Sequence, residues 1–245
     1  MDTRLIIDEP ARGSWNMAVD ETLLRWAGQG GGSALRFYQW EEPTLSLGYF
    51  QPYETRVEHS PSSNLPVVRR TTGGGAIVHD RELTYSFVTP IRDRFSSAAQ
   101  DYVKRFHESL IVILAERGIK AALCGCAAAE TKSEPFLCFQ RRQSLDILVG
   151  GAKILGSAQR RHQGALLQHG SILLARSSHA DSLPGLAELS GATIGHHGIV
   201  RDWSQHLGKQ FGFVYAPSRL TEPELSLAID IERTRFADPR WTHKR

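Results

Sequence analysis

No stretch of this 245-residue sequence stays apolar long enough to cross a bilayer, so no membrane partner is expected. Its start, Met1-Asp2 followed by an alternating run, lacks the basic and apolar parts of a secretory leader. Cysteine is scarce, and three is an odd count. That argues against a disulfide framework and for a reducing compartment, which makes the cytoplasm the expected location. Cys124 and Cys126 form a Cys-x-Cys pair without two further ligands at metal spacing, so no metal site is expected there. A dominant charge is also missing. The net charge is +3, with arginines scattered among aspartates and glutamates, which argues against a nucleic-acid partner. Arg141-Arg142 and Arg160-Arg161 are the exceptions, and they fit either a solvated loop surface or docking of an acidic partner. There is no internal repeat and no linker-like composition. With 41% hydrophobic residues the chain can build one core, so residues 1–245 are expected to form one domain.

What the sequence does have is a glycine triplet behind two arginines. Arg69-Arg70-Thr71-Thr72-Gly73-Gly74-Gly75 runs into Ala76-Ile77-Val78-His79-Asp80, with apolar strand-like runs on both sides. Consecutive glycines let backbone pass close to a ligand and turn N–H groups toward it. Arginine adds a fork of donors that stays charged. The stretch fits a cradle for an acyl or phosphate group, and alone it fits a hairpin turn as well. A second segment holds Cys138-Phe139, then Leu145 through Gly150-Gly151-Ala152-Lys153-Ile154-Leu155-Gly156-Ser157-Ala158-Gln159, then Leu167-Gln168-His169-Gly170-Ser171. Cys138 follows the apolar Pro135-Phe136-Leu137, where a lone cysteine is either an inert buried residue or a nucleophile. Lys153 has no Walker-type Gly-Lys-Ser/Thr ending and could be an exposed hairpin residue. His79 could orient the cradle, act as an acid or base, or be a hydrogen-bonded structural residue.

Together the two blocks resemble the superfamily of lipoate-protein ligase A, octanoyltransferases and biotin ligases, in particular its cofactorless Cys/Lys octanoyltransferase branch. The resemblance runs from Gly13-Ser14-Trp15-Asn16-Met17-Ala18-Val19-Asp20-Glu21 to Leu173. It implies that Cys138 carries an acyl group and that Lys153 activates the thiol. A thiolate exchanges thioesters nearly without energy cost, and a nearby ammonium raises the thiolate fraction. The resemblance also implies substrate binding by Arg69, Arg70, Gly73, Gly74, Gly75, His79, Gly156, Ser157 and Ala158. The acyl tail would lie among apolar side chains around Trp40 and Phe37. The implied reaction moves octanoyl from acyl carrier protein through Cys138 to a lysine of a lipoyl-domain acceptor, with no cofactor. An ATP- and magnesium-dependent lipoate ligase is the alternative. In such relatives the equivalent lysine touches the α-phosphate, and the full triplet ending in Gly75 is ligase-like. A lipoyl amidotransferase and a noncatalytic carrier-binding homologue also stay open. Cys138-Phe139 and Glu82-Leu83-Thr84-Tyr85-Ser86 look like the transferase, and so does the lack of an accessory domain after Arg235.

Periodicity predicts strands at Arg4–Ile7, Leu35–Trp40, Thr44–Tyr49, Val67–Arg70, Ala76–His79, Leu83–Thr89, Leu145–Val149, Ala152–Gln159 and Gly164–Leu174. Thr44–Tyr49 is expected to pair antiparallel with Leu35–Trp40, and the strands on to Thr89 to form a meander. Helices are predicted at Asn16–Ala27, Asp101–Gly118 and Glu222–Arg235, with short helical pieces between Ser182 and Thr221. The expected fold is α+β, a mixed and largely antiparallel sheet flanked by helices, like a biotin/lipoate ligase catalytic domain.

Overall fold

The computed structural model describes residues 1–91, 98–125 and 135–245. Chain order runs β1 (Asp2–Ile7), α1 (Gly13–Trp26), β2 (Ser33–Tyr38), β3 (Thr44–Leu47), β4 (Val67–Arg69), β5 (Ile77–His79), β6 (Glu82–Pro90), α2 (Ala98–Ala115) and β7 (Ala121–Leu123). It continues with β8 (Ile147–Val149), β9 (Ala152–His162), β10 (Ala165–Leu173), α3 (Leu186–Ser190), α4 (His196–Phe211), β11 (Val214–Pro217), α5 (Glu222–Ile231) and α6 (Pro239–Thr242). The fold is α+β, and its large sheet has eight strands in the order β11-β1-β2-β6-β10-β9-β8-β7. The pairs β11/β1 and β1/β2 are parallel, and the rest are antiparallel.

Alternation along the central strands sends their side chains to two differently covered faces. Leu35 and Phe37 of β2, with Leu83, Tyr85 and Phe87 of β6, pack against Phe106, Leu110 and Ile113 of α2 and Ile199, Trp203 and Leu207 of α4. Ala34 and Val88, with Ala165 and Leu167 of β10, pack against Val19, Leu23 and Leu24 of α1 and Ala228 of α5. Helix α1 buries polar residues as well. Asp20 accepts hydrogen bonds from Arg36, Tyr38 and Ser86, so its charge is held inside by three donors. Just past β2 the same face meets a second sheet, where Tyr38 and Trp40 pack with Met17 and Ala18 of α1, Val68 of β4, Ile231 and Phe236.

That second sheet has three strands, ordered β4-β3-β5. This corrects the expected pairing, since β3 joins β4 in parallel and β5 antiparallel and does not pair with β2. Alternation specifies that a strand exists and which faces it has, and leaves its partner open. β11 was not expected; four residues ending in Pro217 carry little pattern. Cys124 is disulfide-bonded, which corrects the reading of the odd cysteine count, because an odd total still leaves room for a pair. Cys126 lies outside the described residues. No helix among the described residues is long and apolar enough to cross a membrane.

Candidate active site

The two sheets enclose a cavity of about 320 Å³. Met17, Tyr38, Trp40 and Ile77 give it apolar surface, and Arg70, Gly73, Gly74, Cys138, Gln143, Asp146, Lys153 and His169 give it polar groups. A volume of this size, with apolar surface beside a cluster of polar groups, suits a small acyl ligand.

Cys138 opens a single turn of 3-10 helix, Cys138–Gln140, directly after an extended Leu137. Its N–H donates to Ala76 O at 2.7 Å, and Ala76 N–H donates to Phe136 O at 3.0 Å. These bonds fasten the cysteine segment to the glycine loop just before β5. The loop is close-packed there. A Cβ on Gly75 would stand 3.0 Å from Cys138 N, and one on Gly48 would stand 1.9 Å from Gly74 O. Gly74 has φ +95°, a conformation that L side chains avoid, and the point where its Cβ would stand is 3.9 Å from Cys138 Sγ. The triplet lets the backbone lie beside the sulfur.

Lys153 reaches Cys138 across the β8–β9 hairpin. Its Nζ lies 3.8 Å from Cys138 Sγ, 3.3 Å from Cys138 O and 2.9 Å from Asp146 Oδ2. The amine sits 5.4 Å from the centre of the Phe139 ring. Both Lys153 and Asp146 are buried. The positive-φ pair Gly150 and Gly151 closes the hairpin, and a register shift at Ile147/Leu148 sets Lys153 opposite Leu148. Gly156 leaves room for the lysine, since a Cβ there would lie 2.6 Å from Lys153 Cε and 2.8 Å from Nζ.

Arg70 is buried beside this group. Its Nη2 donates to Gly73 O and Gly75 O, and its Nη1 to Ser46 O, so it shapes the glycine loop. Burial lowers its pKa to about 10, which leaves it cationic at neutral pH. His79 stacks on Trp40 with ring centres 3.8 Å apart. Its Nε2 meets Ser46 Oγ and its Nδ1 meets Glu82 Oε1, each at 2.7 Å. Burial pushes the imidazole below its ordinary pKa and favours the neutral ring. His169 Nε2 meets Thr72 Oγ1 at 2.7 Å, and its Nδ1 faces Asp20.

Most residues singled out in the sequence therefore converge on one cavity: Cys138, Lys153, Arg70, Gly73, Gly74, His79, Gly156, Ser157 and Ala158 all line it. Gly75 lies directly behind the cysteine. Arg69 points away, and its guanidinium donates to Gly48 O, Gln51 O and Thr242 O. Successive side chains on an extended segment face opposite ways, so neighbouring arginines cannot both reach one ligand. Phe37 faces α2 and α4 for the same reason, while Tyr38 and Trp40 reach the cavity. Asp146, Gln143, Met17 and Tyr38 line the cavity and were not singled out. Asp146 could have been found from the hairpin, because a turn at Gly150-Gly151 folds the segment before it onto Lys153.

Residues 12–187 match the family model described as lipoyl protein ligase A/B catalytic domain. The chain belongs to this family. It is 32% identical to octanoyltransferase LipM of Brevibacillus brevis, over 99% of this chain and 99% of that protein. It is 38% identical to octanoyltransferase LipM of Carboxydothermus hydrogenoformans, over 71% of this chain and 66% of that one. These relatives make the family member an acyltransferase. In structure it resembles lipoate-protein ligase A bound with ATP, with a TM-score of 0.81 and 22% identity over 99% of each chain. It also resembles a chain from an archaeal lipoylation system, described as a bi-partite lipoate protein ligase and its E2 lipoyl domain from Thermoplasma acidophilum, with a TM-score of 0.76 and 20% identity over 99% of this chain and 96% of that one. At such identity these two structures speak for the fold alone.

Proposed function

We propose that this protein is an octanoyltransferase of protein lipoylation, taking octanoyl from acyl carrier protein onto Cys138 and passing it to a lysine of a lipoyl domain. The observation that carries the reading is the free thiol of Cys138, 3.8 Å from the buried ammonium of Lys153 on the wall of an acyl-sized cavity. With the Lys153 amine beside it, the Cys138 sulfur attacks the donor thioester carbonyl as a thiolate. The carbon–sulfur bond to the carrier breaks, its thiol leaves, and Cys138 holds the acyl group while the carriers exchange. Met17, Tyr38, Trp40 and Ile77 supply the apolar wall for the tail. Arg70 and the glycine loop stand at the carbonyl end, with His79, Gly156, Ser157 and Ala158 shaping the rest. No nucleotide enters this scheme, because the donor thioester is already activated.

The test is intact mass spectrometry after incubation with octanoyl-acyl carrier protein, without ATP or magnesium. One octanoyl adduct is expected on the wild type and none on Cys138→Ala, and only the wild type should octanoylate an apo-lipoyl domain. Lipoylation that needs free lipoate and ATP, and that survives Cys138→Ala, would reverse the assignment in favour of a ligase.

A further inference from the structure

Transfer to a lysine sets a second chemical demand on the cavity. A lysine amine has an ordinary pKa near ~10.4, so it arrives as an ammonium and must shed protons before and during attack. The cavity already holds two cations, Arg70 and Lys153, that oppose its entry. Among the described residues, Asp146 is the sole carboxylate on the cavity wall. Its Oδ2 is engaged by Lys153 Nζ at 2.9 Å and by the Gln143 N–H at 2.7 Å. Its Oδ1 accepts from no described residue and lies 3.1 Å from the point where a Cβ on Gly156 would stand. Gly156 itself lines the cavity. His79 and His169 also stand on the wall, and both ring nitrogens of each already have partners.

We propose, resting on the transfer reading above, that Asp146 is the catalytic residue of the second half-reaction: its free oxygen receives the acceptor lysine and takes the proton of the attacking amine. In that step the amine nitrogen bonds to the thioester carbon. The carbon–sulfur bond breaks, and its electron pair returns to Cys138 Sγ as a thiolate beside Lys153. The acceptor ammonium gives its first proton to water before attack, and the surplus proton of the new amide nitrogen moves to Asp146 Oδ1, from which water removes it. One ammonium, Lys153, thus sits between the group that takes the proton and the group that leaves. Burial is the largest influence on the Asp146 carboxyl and holds it above its ordinary pKa, in the direction of a better proton acceptor.

The two half-reactions separate this role from simple support of Lys153. Wild type and Asp146→Asn are each loaded with octanoyl-acyl carrier protein and followed by intact mass, then mixed with apo-lipoyl domain or with hydroxylamine, which attacks thioesters without a base. Asp146→Asn should acylate within about tenfold of wild type, which also shows that it is folded. Its transfer to the lipoyl domain should fall by about a hundredfold or more, while hydroxylamine strips both acyl-enzymes alike. Asp146→Glu, which keeps the carboxylate, should recover part of the transfer rate. Equal transfer by wild type and Asp146→Asn would overturn the proposal. So would acylation and transfer that fall together, which is the signature of a misplaced Lys153. A wild type that never forms the adduct would overturn the transfer reading itself, before Asp146 is in question.

Discussion

Gly156 shows how one missing side chain places the reactive pair. A methyl group there would overlap Lys153 Cε and Nζ, the end of a flexible chain, so the lysine would move and the backbone would hold. Displacing Nζ separates it from Asp146 and Cys138 together. Gly156→Ala should leave the backbone in place yet cost roughly 3 kcal/mol in a thermal melt, the scale of parting a buried ion pair. Transfer should fall by about a hundredfold, the scale of losing an electrostatic partner. The rate of thiol alkylation is the direct check, because a thiol parted from the amine should react more slowly. An unchanged rate would show that Lys153 does not act on the thiol. At this scale the sequence was informative where chemistry and steric need coincide. The glycines of both blocks, Cys138 and Lys153 stood out because their residue types are costly or unusual where they occur. Asp146 did not, because an aspartate heading an apolar run also reads as the polar edge of a strand.

Between elements, a buried hydrogen-bond chain ties helix α2 to the strand that carries the Gly156-Ser157-Ala158 block. Gln159 donates to Gln168, Gln168 to Tyr85, and Tyr85 meets Ser157 Oγ at 2.7 Å. Ser157 Oγ in turn meets His107 Nε2 at 2.7 Å, and His107 Nδ1 must donate to Leu145 O because a carbonyl only accepts. A neutral His107 thus accepts the Ser157 proton and fixes the direction of the chain. Burial lowers the His107 pKa to about 4. The unfolded chain then binds a proton below about pH 6.5 that the folded chain refuses, so the contribution is complete above that pH and is lost as pH falls toward 4. Wild type should lose about 3 kcal/mol more stability than His107→Gln between about pH 7 and pH 4, measured from urea midpoints. Parallel pH profiles would mean that His107 is protonated in the fold. Elements of this kind were legible one at a time. The helices and the β8–β9–β10 run follow from period and turn signals, because hairpin partners are neighbours in sequence. β3 was assigned to the wrong partner and β11 was missed because their pairing is decided by distant segments, which local alternation does not encode.

At the scale of the whole molecule, the cavity exists because the small sheet is held against the open end of the large one, and the last residues do much of the holding. Arg69 is fully buried, and its Nε and Nη2 donate to Thr242 O at 2.9 and 2.7 Å. Trp241 Nε1 returns a bond to Arg69 O at 2.8 Å, and Tyr53 N–H donates to Arg245 O at 2.7 Å. Lys244 lies 3.6 Å from the ring centres of both Tyr49 and Trp241. The arginine expected to hold a ligand is thus the anchor of the chain's end, while Arg70, one residue on, stays with the cavity. Removing residues 241–245 would leave two of the three Arg69 guanidinium nitrogens, Nε and Nη2, without their partner inside the protein. That should cost roughly 3 kcal/mol, the scale of a buried charge stripped of a partner. The urea midpoint should fall with little change in slope. Transfer should fall as well, because Arg69 Nη1 also fixes Gly48 O and Gln51 O, and Gly48 packs directly on Gly74. Adding Arg69→Leu to the truncation gives the sharper test. With the charge gone there is nothing left to strand, so the double change should cost clearly less than the two single changes added together. Strict additivity would show that the chain's end and Arg69 stabilise the protein independently.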